Sequence, residues 1–417
     1  MLTSKLVFIA VLPILHGMSN EIDWDGILAG YGEVAIKSSR VRRKFVRKLA
    51  RNIIKGLREA GLKSSVHHKW SRLIIKVDDI DAAIKLLERI FGLVFIAPYK
   101  HVKLNELKPF LKENCQQLLG DAKSFAIRVK RTGEHPFTSK DLERELGALV
   151  KDAARVRVDL ENPSKTIYVE VRGDDCYVYN EKIPCPGGLP LGVSGKVVCL
   201  ISGGIDSPVA SWLLMRRGCS IVPLFAYFPM GGDESDLKRF MAVIRILGKW
   251  HIGEPMPVYI YRHEHNLIAF RRAAPKYTCV LCRRMMYRVA NELAKKVGAK
   301  AIATGENLAQ VASQTLDNLM VINEASELPV LRPLIGFDKN ESIALAKQIG
   351  TYEASCMKIT SGYIPVKGCW ARPPKPVTKA KLEEVLEIES KLDIEDLLAK
   401  SIESLREISS ICLGKSN

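Results

Sequence analysis

The sequence predicts an α/β protein whose second half is a doubly wound parallel sheet and whose first half is built from smaller α+β units. Three observations predict it. Beyond residue 196, β-branched runs alternate regularly with helical segments. A Ser-Gly-Gly-x-Asp-Ser turn at 202–207 joins one such strand to one such helix. Before that region lies a stretch, EKIPCPGGLPLGVSG (181–195), whose three prolines and four glycines mark a linker. With 417 residues, 47% of them hydrophobic, the chain buries a large core and divides into several domains. Its 63 Lys and Arg against 46 Asp and Glu leave a formal charge of +17, which favours a polyanionic partner, nucleic acid foremost. Ten cysteines without regular spacing form no disulfide framework and fit a reducing cytoplasm.

Residues 1–20 read as an extension outside the fold. Their apolar run, 6–15, is broken by Pro13, is too short to span a bilayer and lacks a small-x-small cleavage site; Met18 offers a second start. No membrane partner is expected. A short strand within 27–37 leads into the most basic stretch, which has no acidic residue between Val34 and Arg58. There Val41, Phe45, Leu49, Ile53 and Leu57 recur every four positions and predict an amphipathic helix carrying Arg42, Arg43, Arg47 and Lys48 on its other faces. A solvated helix face ordinarily mixes signs, so this one predicts phosphate contact. A strand over 73–77 and a helix over 80–90 complete the unit. The next unit has strands over 97–102, 124–129, 166–171 and 175–180 and helices over 108–119 and 139–154. Lys130, Arg131 and Lys140 cluster around its turn at Phe137, a combination suited to phosphate beside a base or sugar.

After the linker, 197–201 reads as a buried strand, Ser207 and Pro208 as N-cap and first helical residue, and Gly218 as the helix stop. Gly203 and Gly204 let backbone amides approach an anion at a helix N-terminus, a phosphate cradle, and Asp206 beside them suits Mg²⁺. A Walker A loop is excluded, because Gly195-Lys196 is followed by Val197 and has no glycine five residues upstream. Strands over 221–228, 258–261 and 301–304 and helices over 234–250, 283–297, 313–323 and 339–348 continue the alternation. Thr304-Gly305-Glu306, with Gln314 on the helix beyond, reads as a second loop of the same pocket, and Lys339 at a helix start can neutralise charge on phosphate. The stretch 379–413 is Glu- and Leu-rich helix, expected to pack as an appendage.

Cys279 and Cys282, three residues apart at a helix start, suit a metal or redox chemistry. Zinc needs two further ligands from Cys356, Cys369, His263 and His265, an iron-sulfur cluster with one open iron needs one further cysteine, and a buried structural pair needs none. His263 and His265, one residue apart, read as a polar surface pair.

Taken together, SGGIDSPVA, CVLCRRMMYR, TGENLAQVASQTL, LRPLIGFDK and YGEVAIK resemble the tRNA uracil 4-sulfurtransferases, the 4-thiouridine synthase or ThiI family, over about residues 26–378. The resemblance implies an N-terminal ferredoxin-like domain (21–78), a THUMP RNA-binding domain (79–180), the linker (181–195), a PP-loop ATP pyrophosphatase domain (196–378) and the helical segment 379–417. It points to the archaeal-like type that lacks the rhodanese domain of some bacterial members. By motif position, Leu200, Ile201, Phe225, Ala226, Arg283, Gly305 and Gln314 would line an ATP pocket, and Ser202, Gly203, Gly204, Asp206 and Ser207 would cradle the pyrophosphate. Asp206 and Lys339 would serve adenylation with Mg²⁺, and Cys369, in KGCWARPPKPVT, would handle sulfur. Cys279, Cys282 and Cys369 would hold the iron-sulfur cluster, with Cys356 a rival for the third place. Arg283 stands where many members have Lys, a forked cation in place of a point charge. The implied reaction adenylates O4 of uridine 8 in tRNA and replaces that oxygen with sulfur. The implied partners are tRNA, a sulfur donor (cysteine desulfurase or free sulfide) and a second copy of the chain. Three readings compete: the same chemistry on another tRNA base, transfer to a carrier protein in thiamine thiazole synthesis, and a non-catalytic RNA-binding protein.

Overall fold

The computed structural model describes residues 22–228, 234–357 and 369–408, and the chain divides into two units, Met1–Pro190 and Leu191–Asn417. In the first, strands β1 (Gly26–Tyr31), β2 (Ser64–Lys69), β3 (Arg72–Val77), β4 (Leu93–Lys103), β5 (Ser124–Thr132), β6 (Arg157–Val158), β7 (Lys165–Arg172) and β8 (Asp175–Tyr179) lie in the order β2-β3-β1-β4-β8-β7-β5-β6. A short β9 (Ile183–Pro184) also pairs with β4. All pairings are antiparallel except those of β5 with β6 and β7. Eleven-residue β4 serves both halves: Leu93 to Tyr99 pair with β1, and Lys100 to Lys103 with β8. Helices α1 (Ser39–Glu59) and α2 (Ile80–Leu87) accompany the first half. α3 (Leu107–Leu119) and α4 (Ser139–Ala154) cover the second, burying Leu111, Leu118, Leu146 and Val150 with Phe125, Ile167 and Val169.

The α1 stripe departs from the expected one. Val46, Leu49, Ile53, Gly56 and Leu57 are buried, whereas Val41 is 37% exposed and Phe45 half-buried. A repeat of strictly four drifts about 40° around the helix per step, so five such positions cannot share one face. The linker is folded rather than free. Gly92 N donates to Gly187 O and Gly187 N to Leu93 O, and Cys185 is buried in the first unit. Gly192 N and Ser194 N both donate to Gly218 O in the second.

The second unit holds a six-stranded sheet of β10 (Lys196–Leu200), β11 (Ser220–Tyr227), β12 (Val258–Arg262), β13 (Ile302–Ala303), β14 (Val330–Leu331) and β15 (Arg406–Ile408), ordered β14-β13-β10-β11-β12-β15. It is parallel except for β15. One layer of helices contains α5 (Asp206–Arg216), α6 (Ser235–Trp250), α10 (Lys339–Ile349) and α11 (Tyr352–Cys356); the other packs α7 (Glu264–Ala273) and α9 (Leu316–Glu324) on α8 (Thr278–Val297). The chain leaves β10 toward β11 and later returns to β13 on its other side. The crevice beyond the β10 C-terminus is therefore the place where such sheets bind ligands.

Three expectations are corrected in this unit. α5 begins at Asp206 with Ile205 as N-cap, so Ser207 is its second residue and Pro208 its third. Ser207 is instead committed to the preceding turn, its Oγ accepting from Ser202 N at 2.9 Å. Gln314 lies in a single 3-10 turn (Ala312–Gln314) before α9, not on that helix. The C-terminal stretch is no appendage; it forms α12 (Leu382–Ser390), α13 (Ile394–Glu403) and β15, and Ala380, Val385 and Leu397 join the core formed by Val198, Leu281 and Met285. Residues 409–413 lie outside the described residues. Glu389 accepts from Arg284 Nε and Nη2 at 2.9 Å each and from Arg288 Nη1 and Nη2 at 2.8 Å each. Among the described residues, no helix is long and apolar enough to cross a membrane.

Arg284 is wholly buried, and its charge is met by Glu389 and, at 2.7 Å, by Glu324, so removing Glu389 leaves it with one carboxylate. Glu389→Ala should cost about 1–3 kcal/mol of unfolding free energy in chemical denaturation, and Glu324→Ala added to it should raise the cost to about 3–5 kcal/mol, because Arg284 is then left with no carboxylate.

Candidate active site

The turn after β10 is held by its own hydroxyls. Ser202 N donates to Ser207 Oγ, Gly204 N donates to Ser202 Oγ at 3.2 Å, and Ser355 Oγ on α11 donates to Gly204 O at 3.2 Å. The neighbouring elements come so close that only glycine fits. A Cβ on Gly203 would lie 2.7 Å from Arg239 Cβ, and one on Gly305 would lie 2.5 Å from the Ser207 backbone nitrogen. The α5 N-terminus thus points its unpaired amides into a space walled by the loop after β13.

That space is a cavity of about 510 Å³. All twelve residues that the motifs assign to the nucleotide line it: Leu200, Ile201, Ser202, Gly203, Gly204, Asp206, Ser207, Phe225, Ala226, Arg283, Gly305 and Gln314. Phe225 is braced by Phe240, stacked at 4.4 Å between ring centroids. Gln314 is 6% exposed, and its Oε1 accepts no bond among the described residues. Lys339, first residue of α10, reaches both Asp206 oxygens at 2.9 and 2.8 Å, and Gln310 Nε2 donates to Asp206 Oδ2 at 3.2 Å. The α10 cap explains the placement, because Asp338 and Glu341 close a reciprocal capping box around Lys339. Burial works against the Arg283 charge, but the Glu306 carboxylate, together with Cys282, Tyr287 and Cys279, raises its pKa and keeps the guanidinium protonated. Glu306 is itself fastened by Thr304 Oγ1 at 2.9 Å, Arg332 Nε at 2.8 Å and Tyr287 OH at 3.2 Å. Sequence reasoning missed Leu224, Phe228, Asp236, Arg239, Met286 and Ser355, which also line the cavity. Leu224 was inferable as the strand neighbour of Phe225; Asp236 and Arg239 sit in an ordinary amphipathic helix and carry no local signal.

Cys279 and Cys282 occupy the first turn of α8, and both, like Cys369, are half-buried, whereas Cys356 is exposed. Burial pushes all three thiol pKa values up, and the charge of Cys369 would raise those of Cys279 and Cys282 further, which places the three in one electrostatic neighbourhood. Among the described residues, no three His, Cys, Asp or Glu side chains stand in metal-holding geometry. The expected surface histidine pair is corrected. His263 is fully buried, with Nε2 3.2 Å from Cys282 Sγ and Nδ1 3.2 Å from Asn266 Nδ2. Burial holds its pKa down at about 3. His265 turns instead to α13, with Nε2 3.2 Å from Leu397 O. The unexpected helix α7, capped by His263, is what carries the pair inward.

In the first unit, Arg43, Arg47, Lys130 and Lys140 are exposed and Arg42, Lys48 and Arg131 half-buried. Burial, then the adjacent Arg51 and Lys55 charges, pushes the Lys48 pKa down, the mark of a face of one sign. Arg131 is tied back, donating to Gly133 O at 2.9 Å.

Comparison with known proteins matches three segments of the chain to family models. Residues 26–97 match the ThiI ferredoxin-like domain, 104–181 the THUMP domain and 192–394 the family described as thiamine biosynthesis protein (ThiI). A Methanothermobacter thermautotrophicus relative named "Probable tRNA sulfurtransferase" is 39% identical over 388 residues, covering 91% of this chain and 96% of its own. A Methanocaldococcus jannaschii relative of the same name is 38% identical over 382 residues, covering 88% and 97%. A solved 4-thiouridine synthetase in complex with RNA and with bound ATP is 31% identical, with a TM-score of 0.81, over 93% of this chain and 100% of that one.

Because its Cβ would meet backbone at 2.5 Å, Gly305→Ala must part the β13 loop from α5. It should cost about 1–3 kcal/mol, read as a lower denaturation midpoint at unchanged m-value.

Proposed function

Because the chain belongs to the ThiI family of tRNA sulfurtransferases, we propose that it uses ATP to adenylate uridine 8 of tRNA and replaces that base's O4 with sulfur, giving 4-thiouridine. The observation that carries this reading is Asp206, ion-paired with Lys339 and lining one cavity together with a glycine-rich amide cradle. Backbone amides at the α5 N-terminus would grip the β- and γ-phosphates, and the apolar wall of Leu224, Phe225 and Met286 suits a purine ring. Uridine O4 forms a bond to the α-phosphorus while the bond to pyrophosphate breaks. Lys339 meets the charge gathering on the departing pyrophosphate, and Asp206 is the carboxylate available to Mg²⁺. Sulfur adds at C4 as hydrosulfide, taken from free sulfide or released from a persulfide loaded by a cysteine desulfurase when a second thiol attacks the inner sulfur and closes a disulfide. The C4–O4 bond then breaks and AMP leaves with the oxygen.

Cys279, Cys282 and Cys369 fit an iron-sulfur cluster in donor chemistry, since they are three soft, half-buried thiols and the charge of Cys369 acts on both of the others. When bound, the cluster would supply an open iron with affinity for sulfide. The acid-free face of α1 fits the tRNA backbone, and the partners in this reading are tRNA, the sulfur donor and a second copy of the chain, in the cytoplasm.

Asp206→Ala should abolish tRNA-dependent ATP–pyrophosphate exchange, with a loss of about 10³-fold or more, and leave tRNA affinity unchanged; thiolated tRNA formed at the normal rate by that variant would overturn the mechanism. Anaerobic purification should give a coloured protein containing iron and sulfide, lost in Cys279→Ala. A colourless protein carrying one zinc would sink the cluster.

A further inference from the structure

The tip of the β2–β3 hairpin departs from local stability rules in three ways at once. Only Trp70 and Ser71 separate the strands, and Lys69 pairs directly with Arg72 across the ladder. Both loop residues are left-handed, with φ of +50° and +62°, the geometry of a two-residue type I′ loop that Asn-Gly or Gly-Gly fills without strain. A bulky aromatic at such a position is strained. The closing pair sets two cations face to face where opposite charges are favoured. The indole, which core packing would hide, is 50% exposed.

All three departures serve one arrangement, an aromatic surface held out among cations. Trp70 shares a narrow cleft with Lys69, Arg72, Glu170 and Arg172, so part of the indole is seated while the rest is open to solvent. The support beneath it is stiff. Arg72 Nε and Nη2 donate to Glu170 Oε1 at 3.2 and 3.0 Å, and Arg172 donates to the other oxygen of that carboxylate. Burial works against the Glu170 charge, and the two guanidiniums prevail, holding its carboxyl below the usual range. His68, just before the tip, is anchored 2.8 Å from Tyr31 OH. A protein partner would favour an apolar rim around an exposed indole. Here the apolar residues Leu28, Ile74 and Tyr177 are the buried floor of the cleft, the solvent-facing neighbours of the indole are Lys69 and half-buried Arg72, and the same unit carries helix α1, which has no acidic residue before Glu59.

We infer that Trp70 is a stacking platform for an unpaired RNA base, with Lys69 supplying the adjoining phosphate contact and Arg72 held as its support. The inference rests on the tRNA reading above and deepens it, because recognition by the first unit then includes a single-stranded feature as well as duplex backbone. Every base offers a π-face, so the platform reads unpaired structure rather than a particular base.

The test replaces the tip by the loop it avoids. The double variant Trp70→Asn, Ser71→Gly in the full chain relieves the strain and should be at least as stable as the parent in thermal denaturation. Its affinity for unmodified tRNA should fall by about tenfold at fixed salt, while Trp70→Phe keeps most of the parent's affinity. Affinity for a blunt RNA duplex of equal charge should be unchanged in both variants. Parent-like tRNA binding by the double variant, or an equal loss on duplex, overturns the platform and leaves the functional reading standing. An unaltered protein that binds no tRNA overturns both.

Discussion

The second unit is organised around two missing side chains. The cradle amides can face a ligand only because Gly203 lets α6 close to within contact and Gly305 lets the β13 loop rest on the backbone of Ser207. A methyl group at either place would push the walls apart, and the cavity would lose its enclosure before any polar group was altered. Enclosure matters because amide dipoles act on a phosphate far more strongly where water is excluded. Asp206 and Lys339 depend on it as well. They come from helices far apart in sequence, and they meet at 2.8 Å because α5 and α10 share one layer above the sheet.

α8 couples this cavity to the rest of the unit through consecutive residues. Cys282 faces the thiol neighbourhood and His263, Arg283 lines the cavity, and Arg284 plunges into the core to meet Glu389. One helical turn therefore presents three chemistries in three directions, and Arg284 fastens it to Glu324 on α9 and to Glu389 on α12. The C-terminal helices, compositionally an unremarkable Glu- and Leu-rich stretch, act as the brace for that turn.

What could be read in the sequence was whatever is local. The strand-turn-helix at 196–216, the strongly basic helix α1 and the capped start of α10 are written in adjacent residues, and motif resemblance gathered twelve residues that the fold brings to a single cavity. Positions that depend on long-range packing were not legible. Asp236 and Arg239 look like any exposed helix residues until Gly203 approaches them. His263 looks polar and superficial until α7 turns it toward Cys282. The passage from the first to the second half of unit one is hidden because β4 pairs on both sides without a break, so no loop composition marks it.

The separation of a basic RNA-binding unit from a nucleotide-binding one follows from what each interaction can discriminate. In the proposed reading, contacts from Arg43 or Arg47 to phosphate would hold an RNA but carry no sequence information. In the same reading, choice among many uridines would come from the shape of the RNA rather than from base-specific contacts. The chemistry adds a second filter. Activation by attack of a ring carbonyl oxygen on phosphorus requires an oxygen at C4, which uracil has and cytosine, with an amino group there, lacks. A site that reads position through the first unit and the exocyclic atom through the reaction itself needs few base-specific contacts, which is why its cavity is lined mainly by backbone, apolar walls and the groups that handle phosphate.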